Sequence, residues 1–242
     1  MSVTLPKGFA AAGVTAGLKA SGKPDVAVVH NLGPSMAAAS VFTTNRVFAA
    51  PVKWSRHAVA DGQLQAVVLN SGGANACTGP EGYKDWATTA ARVASNLGLI
   101  IDNVAVCSTG LIGVRLPMDK LIPGVDEACA ALAEDGGAAA ATAIMTTDTV
   151  PKEAGVTVGE WSIGGMAKGA GMLAPGLATM LVVLTTDADL APQQLDEALR
   201  EATRLTFDRA DSDGCMSTND TVTLLASGAS GVAPELGAFT AA

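Results

Sequence analysis

Five of the eighteen residues from Gly164 to Leu181 are glycine, in the run Gly164-Gly-Met-Ala-Lys-Gly-Ala-Gly-Met-Leu-Ala-Pro-Gly-Leu-Ala-Thr179-Met-Leu. Glycine loses more backbone freedom on folding than any other residue, so a run this dense reads as a loop. It leads into the apolar, β-branched stretch Met180–Thr185 and so predicts a loop delivering the chain into a buried strand. Loops of that kind occur where backbone must approach a ligand or reacting groups closely. A second segment, Asn70-Ser-Gly-Gly-Ala-Asn75, has the same over-specified look and is expected directly after a buried strand, Ala66–Leu69.

The chain of 242 residues is 49% hydrophobic, enough to build a sizeable core and to exclude overall disorder. Charged residues make up only 16%, which fits a compact α/β protein with tight loops and surface covered by partner subunits. The net charge of −8 offers phosphates nothing to bind, so no nucleic-acid or anionic-membrane partner is expected. No apolar run is long enough to span a membrane, and the opening residues read as a surface lead-in rather than a signal peptide. Cys77, Cys107, Cys129 and Cys215 form no C-x-x-C pair, and His30 and His57 are the only histidines, so no zinc site assembles at familiar spacings. Four scattered thiols predict reduced core residues of a cytoplasmic protein.

Strands are expected at Asp25–His30, Ala66–Leu69, Val104–Cys107, Val156–Val158, Met180–Thr185 and Thr221–Ala226. Helices are expected at Gly82–Leu97, Pro117–Glu134, Gly136–Met145 and Pro192–Phe207, with a break at Asp135-Gly136-Gly137. The two kinds of element mix without βαβ regularity, which predicts an α/β protein of α+β layers rather than a doubly wound nucleotide fold.

The familiar catalytic signatures are absent: no Walker loop, no G-x-G-x-x-G after a strand, no G-x-S-x-G. Two histidines leave little material for a Ser-His-Asp triad. Chemistry that needs no histidine remains open. A threonine can act as nucleophile when its own α-amine is the base, provided a cut makes it a chain N-terminus. Ala178-Thr179, in a glycine-rich loop before a strand, qualifies.

The stretch from Lys168 through Thr179 to Leu181 closely resembles the self-cleavage motif of the ornithine acetyltransferase family, the bifunctional glutamate N-acetyltransferases of arginine biosynthesis. Further matches follow in the family's order: Gly8–Gly17, Asn70–Gly79, Cys107-Ser-Thr-Gly-Leu-Ile-Gly113, Ala143-Ile-Met-Thr-Thr-Asp148 and Ser217-Thr-Asn-Asp-Thr221. The resemblance covers essentially the whole chain. It implies a sandwich like that of the ornithine acetyltransferases and DmpA, with a self-cleaved N-terminal threonine nucleophile. The cut would fall between Ala178 and Thr179, making residues 1–178 an α chain and residues 179–242 the start of a β chain within one domain. Thr179 would be the nucleophile, Thr109 and Gly110 the oxyanion hole, and Thr146, Lys168 and Thr179 the substrate contacts.

The reaction so implied moves an acetyl group from N-acetylornithine to glutamate by a ping-pong route, with acetyl-CoA a further donor in some members. It needs no metal or organic cofactor, and the family's assembly is α2β2. Asn70, Asn75, Asn219 and Asp220 lie in matching motifs without an assigned role. The family's β chain runs well past the 64 residues present after Ala178, so a substrate-binding glutamate and a closing asparagine and hydroxyl have no counterpart here. Two alternatives stay open: an N-terminal-threonine amidase or aminopeptidase, in which water takes the acyl group, and an inactive, uncleaved fragment.

Overall fold

The computed structural model describes residues 2–172, 174 and 180–242. Two sheets stack face to face. The first has four strands in the order β1 (Phe9–Val14), β2 (Val26–Asn31), β4 (Ala66–Gly73) and β5 (Val104–Leu111), with β4 and β5 parallel. The second has five, in the order β3 (Ala37–Phe42), β9 (Thr221–Ala226), β8 (Leu181–Thr186), β7 (Trp161–Lys168) and β6 (Lys152–Val158), with β8 and β9 parallel.

Side-chain alternation on the central strands sorts the layers. Met166, Leu181, Val183 and Leu225 face the first sheet and join Phe9, Val28, Val68 and Val106 in one buried cluster. Val182, Val222 and Leu224 point the other way, onto Leu195 and Leu199 of α5 (Pro192–Leu205) and Phe239 of α6 (Leu236–Ala241). α2 (Gly79–Leu97), α3 (Met118–Ala130) and α4 (Gly137–Ala143) cover the first sheet, burying Trp86, Leu121, Val125 and Ala140. α1 (Ala50–Ala58) packs at the β5 edge, where Trp54 Nε1 donates to Val104 O at 2.9 Å. The α+β layering expected from the sequence is the observed one.

Several elements differ from expectation. β1, β3, β7, α1 and α6 were not foreseen in the sequence. The first five residues of the glycine-dense run lie inside β7, and Asn70–Gly73 lies inside β4 rather than after it. The segment read as a surface lead-in is built into the core, with Val3 fully buried and Phe9–Val14 in the first sheet. Among the thiols, only Cys107 is buried, Cys129 is half-buried, and Cys77 and Cys215 are exposed, so the core reading fails for two of four.

The small residues of these unforeseen strands answer to close packing. A Cβ on Gly13 of β1 would stand 2.1 Å from the Ala139 carbonyl oxygen of α4. One on Gly164 of β7 would stand 2.1 Å from the Ser2 carbonyl oxygen. Among the described residues no helix is long and apolar enough to cross a membrane.

Candidate active site

The carboxyl ends of β4 and β5 in one sheet meet the end of β7 and the starts of β8 and β9 in the other. In the second sheet Lys168, Leu181 and Thr221 lie in one row. Met180 therefore immediately precedes β8, and Asp220 immediately precedes β9 beside it. Ala178 and Thr179, the proposed cleavage pair, lie outside the described residues.

Lys168 and Thr109 are brought together from strands of different sheets. The Lys168 Nζ donates to Thr109 Oγ1 at 3.1 Å, and both residues are buried. Burial pushes the Lys168 ammonium below its ordinary value, while the Asp148 carboxylate pulls it back up. Asp148 anchors the loop that carries Thr146. It accepts N–H groups from Gly169 at 2.8 Å and Thr146 at 3.2 Å, and its side chain also takes Lys152 Nζ. Burial pushes the Asp148 carboxyl up, but these hydrogen bonds outweigh it and hold the group down to about 2.

Thr109 and Gly110 lie beyond the strand end expected at Cys107, yet they belong to β5 itself. The parallel pairing of β4 and β5 is bulged at Gly72 and Gly73 opposite them. Bulges re-aim the chain at such places. Gly110 has φ +133°, and a Cβ there would lie 2.6 Å from the backbone of Gly72 and Gly73. No other residue fits that conformation without displacing the partner strand.

Thr146 is exposed and makes no direct bond with Lys168 or Thr109; it connects to them through Asp148 and Gly169. The asparagines of the matching motifs serve as braces. Asn70 Oδ1 accepts from Ser108 Oγ at 2.6 Å, next to Thr109. Asn75, at φ +47°, donates to Gly82 O at 2.8 Å and accepts from Thr78. Asn219 ties the second sheet to the first, donating from Nδ2 to Ala74 O at 2.7 Å and Ser108 O at 2.9 Å. Sequence reasoning assigned Asp148 and Asn219 no role. Their positions inside the matching motifs were the available signal, but the partners 21 to 145 residues away were not legible.

Asp220 is fully buried, with Oδ1 accepting the Met180 N–H at 3.0 Å. Burial pushes its carboxyl up to about 7, against the opposing pull of that N–H, Ser217 and Lys168. No group of histidine, cysteine or acidic residues suited to a metal occurs among the described residues. An apolar groove of about 290 Å³, lined by Ile163, Leu184, Leu199 and Phe239, lies on the far face of the second sheet and brings none of these polar groups together.

Two stacked mixed sheets between helices, with a buried ammonium and hydroxyl at the strand ends beside the start of β8, form an α/β sandwich with a polar site at one end. The fold alone is shared with the L-aminopeptidase D-Ala-esterase/amidase of Ochrobactrum anthropi, described as a variant of the Ntn-hydrolase fold, at 14% identity and TM-score 0.55 over 93% of this chain and 73% of that one. The chain belongs to the ArgJ family, whose model matches residues 10–242. It is 66% identical over its whole length to the arginine biosynthesis bifunctional protein ArgJ of Streptomyces coelicolor and spans 63% of that relative's length. It is also similar to the ornithine acetyltransferase of Mycobacterium tuberculosis, solved in complex with ornithine. That similarity is 54% identity and TM-score 0.71, covering 74% of this chain and 96% of that chain.

Proposed function

We propose that this chain is the self-cleaving acetyltransferase portion of an arginine-biosynthetic enzyme, cutting at Ala178-Thr179 and passing acetyl from N-acetylornithine to glutamate. The observation that carries the reading is the Lys168–Thr109 bond, which unites two motifs 59 residues apart at the entrance to β8. In the precursor the Thr179 hydroxyl attacks the Ala178 carbonyl carbon. The C–N bond breaks, the nitrogen leaves as a free amine carrying the hydroxyl proton, and an ester remains. Water hydrolyses that ester, releasing the Ala178 carboxylate and restoring the hydroxyl. Residues 1–178 become an α chain and residues 179–242 the start of a β chain.

In turnover the freed α-amine, with an ordinary pKa near 8, takes the Thr179 hydroxyl proton at neutral pH without a histidine. The hydroxyl attacks the acetyl carbonyl of N-acetylornithine, ornithine leaves with the proton, and glutamate's amine then accepts the acetyl group. Thr109 Oγ1 and the Gly110 N–H stabilise the oxyanion in both halves, an effect worth about 3–4 kcal/mol per donor in comparable sites. The Lys168 ammonium and Thr146 receive the substrate carboxylate. N-acetylornithine and glutamate are thus the partners of the site, acetyl-CoA a further donor, and α2β2 the assembly.

The test is the intact mass of wild type beside Thr179→Ala, followed by acetyl transfer from N-acetylornithine to glutamate. Two pieces of 178 and 64 residues in wild type, one chain in the variant, and N-acetylglutamate as product bear the reading out. Amide hydrolysis without transfer replaces it with the amidase, and one intact chain in both makes this portion inactive.

A further inference from the structure

Asn219 joins the two sheets beside the candidate oxyanion donors, and no step of the proposed reaction uses it. Its side-chain amide donates twice across the gap, to Ser108 O of β5 at 2.9 Å and to Ala74 O, just past β4, at 2.7 Å. Its Oδ1 accepts from Thr218 Oγ1 at 2.5 Å. Two carbonyls on one side and a hydroxyl on the other leave the amide one orientation, because only the nitrogen can donate to both carbonyls. The backbone of Asn219 is held as well, its N–H donating to Ser217 Oγ and its carbonyl accepting from Thr221 Oγ1, both at 3.1 Å.

The tie spans an irregular stretch of the first sheet. The β4–β5 ladder shifts register at Gly72 and Gly73, opposite Gly110 and Thr109, so strand pairing alone does not fix the chain there. Asn219 bridges the two strands at Ser108 and Ala74, which flank that shift. From the other side, Ser108 Oγ stands 2.6 Å from both Asn70 Oδ1 and Gly73 O. Asn70, Ser108 and Asn219 are all buried, where polar groups keep their partners at a premium.

A peptide unit is planar, so holding the Ser108 carbonyl also sets the Thr109 nitrogen and the direction in which the Thr109 side chain leaves. Thr109 Oγ1 then meets Lys168 Nζ across the same gap between the sheets. Resting on the oxyanion reading above, we propose that Asn219 is a positioning residue for Thr109, acting through the Ser108–Thr109 peptide. It holds the hydroxyl where negative charge develops and touches no reacting atom itself. Donors of this kind work only at short range, and a displacement of about 1 Å costs on the order of 10²-fold in rate.

Asn31 is the internal comparison. It too is buried, and its Nδ2 also ties the first sheet to the second, donating to Ala226 O at 3.1 Å. That tie lies where β2 and β9 finish, at the opposite end of the sandwich from Lys168 and Thr109.

The experiment is a double-substitution cycle on self-cleavage, followed by mass spectrometry over time after folding. Rate constant and final extent are read separately, since misfolded chains lower the extent and misplaced donors lower the rate. Asn219→Ala is expected to slow cleavage by about tenfold or more, and Asn31→Ala by less than about threefold. In a Thr109→Val background Asn219→Ala should cost less than about threefold further, because the hydroxyl it positions is gone. Equal slowing by Asn219→Ala and Asn31→Ala overturns the proposal, as does a loss from Asn219→Ala that is undiminished in Thr109→Val. Should Asn219→Ala fail to fold, Thr218→Val takes its place, keeping the volume while releasing the Asn219 amide from its Oδ1 partner. It is expected to slow cleavage by about threefold or more, only where Thr109 is present, and a wild-type rate overturns the proposal. A wild type that stays one chain, or a Thr109→Val that cleaves at the wild-type rate, sinks the underlying reading and the positioning role with it. A slow Thr109→Val beside an unslowed Asn219→Ala sinks the positioning role alone.

Discussion

The backbone N–H of Gly169 donates to Asp148 Oδ1 at 2.8 Å, so the residue that follows Lys168 is fixed by a carboxylate from the loop bearing Thr146. The same carboxylate takes the Thr146 N–H on its other oxygen. One buried side chain therefore sets the spacing between two candidate substrate contacts 22 residues apart in sequence.

Acid should expose that role. The Asp148 carboxyl is held at about 2, below its ordinary 3.8, so its contribution is complete above pH 4 and is lost as the pH falls towards 2. Asp148→Asn is expected to unfold at lower denaturant concentration than wild type at pH 7, and the gap should narrow steadily below pH 4. A gap independent of pH in urea titrations would contradict this.

Asp220 works in the opposite sense. Its carboxyl is raised to about 7, so the folded precursor binds a proton more tightly than the unfolded chain and loses stability as the pH rises from about 4 to 7. In the uncleaved Thr179→Ala background, Asp220→Asn should raise the melting temperature at pH 8 and leave it nearly unchanged at pH 4. Equal shifts at both pH values would contradict the assignment.

Thr109 separates hydroxyl chemistry from packing. Thr109→Val keeps the volume but removes the group that accepts from Lys168, and it should slow self-cleavage by about 10²–10³-fold. Thr109→Ser keeps the hydroxyl and should retain most of the rate. Mass spectrometry over a time course after folding reads both, and similar rates for Ser and Val would remove Thr109 from the oxyanion role.

Lys168→Met removes a buried cation for an apolar side chain of similar length. Because a buried charge carries a desolvation cost, the variant should melt within a few degrees of wild type. Transfer should still be lost, seen chiefly as a raised KM for N-acetylornithine. Wild-type KM in the variant would show that Lys168 does not receive the substrate.

Gly110→Ala forces a Cβ into the Gly72–Gly73 backbone at a φ of +133°. The expected cost is about 2–3 kcal/mol, from a strained conformation and a displaced strand. Denaturant midpoints measure it, and a variant as stable as wild type would mean the bulge is free to move.

Strands rich in valine and leucine were legible without a structure: β2, β4, β5, β8 and β9 were found near their observed bounds because β-branched runs flanked by turn residues have one reading. β1 and β3 were not, since Phe-Ala-Ala-Ala-Gly-Val and Ala-Ala-Ala-Ser-Val-Phe carry little strand propensity. Their alanines are there for what packs against them, as Gly13 under α4 illustrates. The motifs named Thr109, Lys168 and Asp220 as belonging to separate family-like stretches, not as neighbours.

The amino-acid sequence by itself determined the layers, the excluded chemistries and the family, because those depend on local periodicity and on words of six or more residues. Only the tertiary structure decided that Lys168 reaches Thr109, that Asn219 ties Ser108 and Ala74 to the opposite sheet, and that a buried Asp220 accepts the Met180 N–H. Those facts depend on the register of two sheets stacked on one another. A hydrogen bond 59 or 111 residues long in sequence leaves no periodic trace for the chain to carry.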